Sequence, residues 1–338
     1  MNSRILYLDI IRIMACVMIV AMHAPIPNTG LNSYVLSSDS LITASGIGLF
    51  IMVSGALLLP VNMTTKSFLK KRLSKIAGPT LFWTFFYMMV ELAQNGFNET
   101  VNVRNILSVP FTSQYNGVLW FVYMLVGLYL VAPILTAWLR QATLCEIKMY
   151  LCLWGITLCY PIFRNFIDVN ESHTGILYYF GGYAGYFLLG YYLRYYVDNL
   201  SVWKSLILIL FPLCIAVSLK LSDVTIDFYD LFWYLSAFVV SMAIGWFMLV
   251  KKLDKPYNVE SIWHRGIVMI SNYCFGIYLI HIFVMRSILW GWSLLQNMEG
   301  AIQIILVTML TFIGSFVVTW LVSYLPCAEY IIGFRQKK

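Results

Sequence analysis

Leu8-Asp9-Ile10-Ile11-Arg12-Ile13-Met14-Ala15-Cys16-Val17-Met18-Ile19-Val20-Ala21-Met22-His23 is the stretch whose reading decides the architecture. With its neighbours it forms an apolar run of the length a membrane helix needs, about 20 residues. It nevertheless carries an aspartate, an arginine and a histidine. A charge at mid-bilayer costs about 2.5–3.5 kcal/mol on insertion scales, so such groups face protein or water and not lipid. Asp9 and Arg12 are three residues apart, on one helix face and within pairing reach. Arg12 and His23 are separated by about 20° beyond three full turns and by roughly 16 Å along the axis, so they share that face. Two readings follow. The stripe is a structural ion pair with one satisfied histidine, or it is a polar track leading from one side of the membrane toward the other.

Composition extends this reading to the whole chain. Of 338 residues, 61% are hydrophobic, 17% aromatic and 11% charged, against roughly 25% charged in a soluble domain. So few charges cannot cover a solvent-facing surface, which excludes a water-soluble enzyme or a nucleic-acid binder. The net charge of +7 is spread between apolar runs and forms no nucleic-acid patch. Ten runs are expected to cross the bilayer: 5–24, 41–60, 77–93, 118–138, 144–163, 175–195, 203–220, 231–250, 267–289 and 302–324. No internal repeat, low-complexity tract or linker divides them, so residues 1–338 read as one all-α polytopic membrane domain. The first run holds Asp9 and Arg12 and lacks a small-residue cleavage site, unlike a cleavable signal peptide. Seven cysteines fall mostly inside the runs without paired-ligand spacing and read as packing residues, not as disulfides or a metal site.

Orientation follows from lysine and arginine. The side holding the N-terminus and every second loop carries Arg4, Lys66, Lys70, Lys71, Arg72, Lys75, Arg140, Arg194, Lys204, Lys251, Lys252, Lys255, Arg265, Arg335, Lys337 and Lys338. The other side carries only Arg104, Arg164, Lys220 and Arg286, together with most of the loop acids. Positive charge accumulates on the cytoplasmic side of membrane proteins. Both termini are therefore expected in the cytoplasm.

Other residues remain ambiguous on spacing alone. His281, inside the ninth run, is either a core histidine or a site residue, and its pairing with His23 in one cavity is the sharper reading. His173 and His264 read as loop residues. The segment Phe68 to Pro79, with Lys70, Lys71, Arg72 and Lys75, is expected as a loop that anchors topology, or as an anion site beside a helix start. Trp120 and Tyr123, as aromatics at helical spacing, read as core or as a lining of a cavity.

These residues together resemble the bacterial acyltransferase family 3 of integral membrane acyltransferases. The resemblance rests on Leu8-Asp9 with Arg12-x10-His23, on Phe50 to Ser54-Gly55, and on Arg72-x2-Lys75. It rests also on Leu119-Trp120-Phe121 with Tyr129 and Pro133, and on Ser271 to His281. Two positions depart from the pattern: Val118 stands where many members have histidine, and Lys75 where members often have arginine. In length the chain is similar to the family's short glycan O-acetyltransferases, such as those acting on enterobacterial common antigen.

The resemblance implies transfer of an acyl group, usually acetyl, from cytosolic acyl-CoA to a hydroxyl of a cell-surface or lipid-linked glycan, in the bacterial cytoplasmic (inner) membrane. Acetyl-CoA is then the donor and no metal is needed. His23 would act as general base or transient acyl carrier, with Arg12, oriented by Asp9, holding the donor. Arg72, Lys75 and Lys71 would bind the acyl-CoA phosphates, and Ser54, Trp120, Tyr123 and His281 would line the reaction cavity. The alternative is a transporter of a small solute or polysaccharide, since an intramembrane Asp-Arg-His track also suits passage. Absence of paired broken helices or internal symmetry favours the enzyme. The sequence leaves a homo-oligomer open.

Overall fold

A computed structural model of the chain describes residues 4–27, 31–96, 102–109, 111, 119–167, 180–222, 227–254 and 261–336. Val118, His173 and the charges at 99, 168, 171, 223, 255, 337 and 338 lie outside the described residues. The long helices are α1 (Leu6–His23), α2 (Ser33–Leu58), α3 (Thr65–Asn95), α4 (Trp120–Leu139), α5 (Leu144–Thr157), α6 (Ala184–Tyr195), α7 (Val202–Leu221), α8 (Ala237–Leu253), α9 (Ile262–Ile282) and α10 (Gly300–Val322). A π-helical stretch, Phe283–Leu289, continues α9. Among the described residues there is no strand.

Seven helices are long and apolar enough to cross a membrane: α1, α2, α3, α4, α7, α9 with its π extension, and α10. The other three expected runs contain shorter helices. In run 144–163, α5 ends at Thr157 and a turn at Leu158–Cys159 precedes a second short helix, Tyr160–Ile167. Run 175–195 begins outside the described residues and holds α6, which starts after Gly181-Gly182. In run 231–250, the Ser236 hydroxyl accepts from the Phe238 N–H and starts α8 there. The 17 residues of α8 span about 26 Å, close to a hydrocarbon core.

Three helices start more than a turn before the sequence reading places them. α9 begins at Ile262, not 267, and takes His264, expected in a loop, into its first turn. α2 starts at Ser33, not 41, because the Asn32 side chain accepts from the Tyr34 N–H at 2.8 Å and caps the helix there. The basic segment 66–75 is not a loop. Thr64 caps α3, its hydroxyl accepting from the Ser67 N–H, and the helix continues through Pro79 to Asn95. Lysine and arginine are good helix formers, and membrane helices tolerate an internal proline.

The long helices alternate in direction, so the N-terminus, the start of α3 and the end of α10 share one end of the bundle, here the basic end. Several of its cations bind helix C-terminal carbonyls, where the helix dipole is negative. Arg194 donates to the Ala56 carbonyl at the end of α2. Lys251 donates to the carbonyls of Leu193, Arg194 and Val197 at 2.9–3.0 Å, closing the end of α6. Arg140 donates to the Val61 carbonyl at 3.1 Å and fixes the α2–α3 connection.

α1 lies at the centre, packed on α2, α8, α9 and α10, while α2 packs on α6. The α2–α6 crossing is close. A Cβ on Gly55 would collide with the Phe187 carbonyl, and one on Gly190 with the Met52 carbonyl. Small residues that let backbones approach are the usual device of helix contacts in lipid, where no hydrophobic drive distinguishes helix from tail. This accounts for Gly55 in the Ser54-Gly55 motif.

Candidate functional site

α1 and α9 run parallel in a fixed register. Arg12 meets Ser271, Cys16 meets Cys274, and His23 meets His281. On α1 the stripe Asp9, Arg12, Cys16, Ile19, His23 repeats at alternating steps of three and four. On α9, Ser271, Cys274, Tyr278 and His281 do the same. That alternation keeps one seam facing a neighbouring helix, so two motifs some 260 positions apart in the chain line up along a single contact.

At the basic end of the seam Asp9 is 4% exposed and fully engaged. It accepts from Arg4 Nε at 2.6 Å and Arg4 Nη2 at 3.0 Å, from Arg12 Nη1 at 3.3 Å and from Ser271 Oγ at 2.6 Å. Arg12 Nη1 also donates to Ser271 Oγ at 3.0 Å, and Arg4 Nη2 to Asn272 Oδ1 at 3.0 Å. A buried carboxylate is affordable only when paired and hydrogen-bonded; here two guanidinium groups and a hydroxyl meet that need. The expected Asp9–Arg12 pair is present. Arg4, Ser271 and Asn272 complete it, and Arg4, which by sequence is only a topology charge, is one of its two cations.

Arg72 joins this end. Its guanidinium lies 5.9 Å over the Phe68 ring, and Phe68 stands edge-on to Tyr129 at 6.2 Å. Tyr129 in turn is close enough to interact electrostatically with both Arg72 and Arg12. Arg72 Nε is buried without a hydrogen-bond partner among the described residues. A donor left so costs about 1–3 kcal/mol unless a ligand takes it. Lys71 and Lys75, one turn apart on α3, are exposed.

At the far end the rings of His23 and His281 lie 5.5 Å apart at 38°. His281 is fully buried, whereas His23 is half-buried. The 2.6 Å contact of His281 Nδ1 is to the Tyr278 carbonyl. A carbonyl only accepts, so Nδ1 carries the proton and Nε2 of the neutral ring is a lone pair. That Nε2 is buried with no partner among the described residues. Arg286, in the π extension, acts electrostatically on both rings and lies 5.3 Å over Trp290. The sequence reading counts Arg286, at the outer end of the run 267–289, only as a topology charge; a π segment directly after a site residue is a frequent mark of function, but its irregular turn has no sequence signature.

Aromatic rings line the approach to the histidines. Trp120, half-buried, is 5.5 Å from both Tyr183 and Tyr234. The Tyr234 hydroxyl donates to Met22 Sδ, one residue before His23, at 3.1 Å. Phe121 meets Tyr278, which meets His281. Two expected lining residues are turned elsewhere. The Tyr123 hydroxyl donates to the Val109 carbonyl at 2.6 Å, and the Ser54 hydroxyl donates back to the Phe50 carbonyl at 3.0 Å.

A family model described as an acyltransferase domain matches residues 5–324. Neither the curated proteins nor the solved structures yield a match.

Proposed function

The chain belongs to the acyltransferase 3 family of membrane acyltransferases, and on that premise we propose that it transfers an acyl group, acetyl by preference, from cytosolic acyl-CoA to a hydroxyl of a cell-surface or lipid-linked glycan. In this reading the basic end faces the cytoplasm of a bacterium, with both termini there, and the chain spans the inner membrane about ten times. The observation that carries the reading is the parallel α1–α9 seam, which joins a guanidinium cluster at one end to a histidine pair at the other.

The donor's phosphates would meet Arg72, whose buried Nε lacks a partner among the described residues, with Lys71 and Lys75 adding charge at the rim. Arg12, held by Asp9 and Ser271, would fix the head of the pantetheine arm. The arm would then lie along the seam toward His23. A sugar hydroxyl stacked against Trp120 attacks the thioester carbonyl, and its proton passes to a ring nitrogen of His23. His281 Nε2, an acceptor by its tautomer, would hold the other His23 nitrogen as an N–H donor. This is the orienting role of the third member of a hydrolase triad. Collapse of the tetrahedral adduct breaks the C–S bond, and His23 returns the proton to the thiolate, leaving CoA and an O-acyl sugar. The Arg286 cation would stabilise the oxyanion. His23 is the base because it is half-buried and reachable, while His281 is sealed.

Calorimetry of acetyl-CoA on the purified chain in detergent, wild type against Arg72→Ala, tests the donor site. Binding weakened about ten-fold or more in the variant supports it. A folded wild type that binds no CoA would move the assignment to transport.

A further inference from the structure

Beside the Arg4–Asp9–Arg12 cluster lies a pocket of about 360 Å³ that the mechanism above does not use. Its wall comes from the first turns of α9 and from the C-terminal segment: Arg265, Met269, Asn272, Tyr273, Phe334 and Gln336. The size falls at the lower end of small-molecule sites. The wall is preformed. The Tyr273 hydroxyl is bonded to Ser323 Oγ at 3.1 Å and to Gln336 Oε1 at 2.8 Å, and Phe334 stands edge-on to the Tyr273 ring at 5.3 Å. The Gln336 N–H donates to the Ser323 carbonyl at 3.1 Å, so the tail is tied at backbone and side chain.

Three features specify a ligand. Asn272 and Gln336, whose carboxamide oxygens accept from Arg4 and from the Tyr273 hydroxyl, present their NH2 groups as donors to the ring-nitrogen acceptors of adenine. Phe334, half-buried, and Met269, exposed, offer apolar surface along the pocket wall. Arg265, exposed at the rim, suits a phosphate. The pocket is also continuous with the donor path. Asn272 Oδ1 accepts from Arg4, and Gly333, one residue before Phe334, lies against the Lys75 carbonyl in a left-handed conformation at φ 69°. One surface thus runs from the basic turns of α3 past the tail and the pocket to Arg12.

We propose that this pocket takes the adenosine end of the acyl donor, with Arg265 on the ribose 3′-phosphate. The proposal rests on the acyl-CoA reading above and adds the subsite that distinguishes CoA from its shorter phosphopantetheine fragment.

The full chain in detergent is titrated with CoA, dephospho-CoA and 4′-phosphopantetheine. Wild type is expected to bind CoA at least ten-fold tighter than the fragment. Met269→Trp, which adds bulk at the pocket wall, should remove that advantage while leaving fragment affinity unchanged. Arg265→Gln, an exposed change that spares the fold, should bring CoA down to the affinity of dephospho-CoA. Equal binding of CoA and fragment by the wild type, or full CoA affinity in both variants, overturns the subsite and leaves the donor reading standing. A folded wild type that binds none of the three ligands overturns the donor reading and the subsite with it.

Discussion

At His281 the tautomer is set by a neighbour that has no choice: the Tyr278 carbonyl accepts, so Nδ1 donates and Nε2 is left as a buried lone pair. The two histidines therefore have different roles, and their variants should differ. His23→Ala is expected to lower kcat by about 10²–10⁴, the usual worth of a general base, with acyl-CoA affinity intact by calorimetry. His281→Leu should also lower kcat without moving that affinity, because it acts only through His23. At the other end, Ser271→Ala removes the hydroxyl shared by Asp9 and Arg12. The expected cost is about 1–3 kcal/mol, read as weaker acyl-CoA binding, with Ser271→Thr restoring most of it. Arg12, His23 and His281 were legible because charged and imidazole side chains stand out in apolar runs. Arg4 was not, since an arginine just outside a membrane run is ordinarily a topology charge. Ser54 and Tyr123 show the opposite difficulty: a hydroxyl in a helix can satisfy itself on a nearby carbonyl, and spacing does not reveal which way it turns.

Among the helices, the α2–α6 crossing is the contact with least tolerance. Gly190→Leu would force apart backbones that touch at Met52 and Phe187, and overpacking of this kind costs about 1–3 kcal/mol. A lowered unfolding temperature in detergent is expected, with loss of transfer, although Gly190 touches no site residue; an unchanged melting profile would contradict the crossing. The existence of most long helices was legible from apolar runs, their ends less so. Asn32 and Thr64 are ordinary capping residues that started α2 and α3 earlier than hydropathy suggested. A run of lysines and arginines was read as a loop because it is polar, whereas polarity and helicity are independent.

For the whole molecule, the surplus of Lys and Arg on one side remains the basis for orientation, and several of these cations also close helix ends. Cys145 and Cys327 are exposed at the basic end, while Cys16 and Cys274 are buried in the α1–α9 seam. In a chain keeping only Cys145 and Cys327, a membrane-impermeant maleimide should label inverted vesicles and spare intact cells; labelling of intact cells would reverse the orientation. The parallel register of α1 and α9 has a further consequence for biosynthesis. Asp9 leaves the ribosome long before Ser271 exists, so α1 must enter the bilayer without its eventual neighbour. Among the described residues, Arg4 and Arg12, both within a turn and a half of Asp9, are the partners that travel with it. They act as built-in escorts: the first helix crosses the translocon with its carboxylate already neutralised, and waits in lipid for the ninth to arrive.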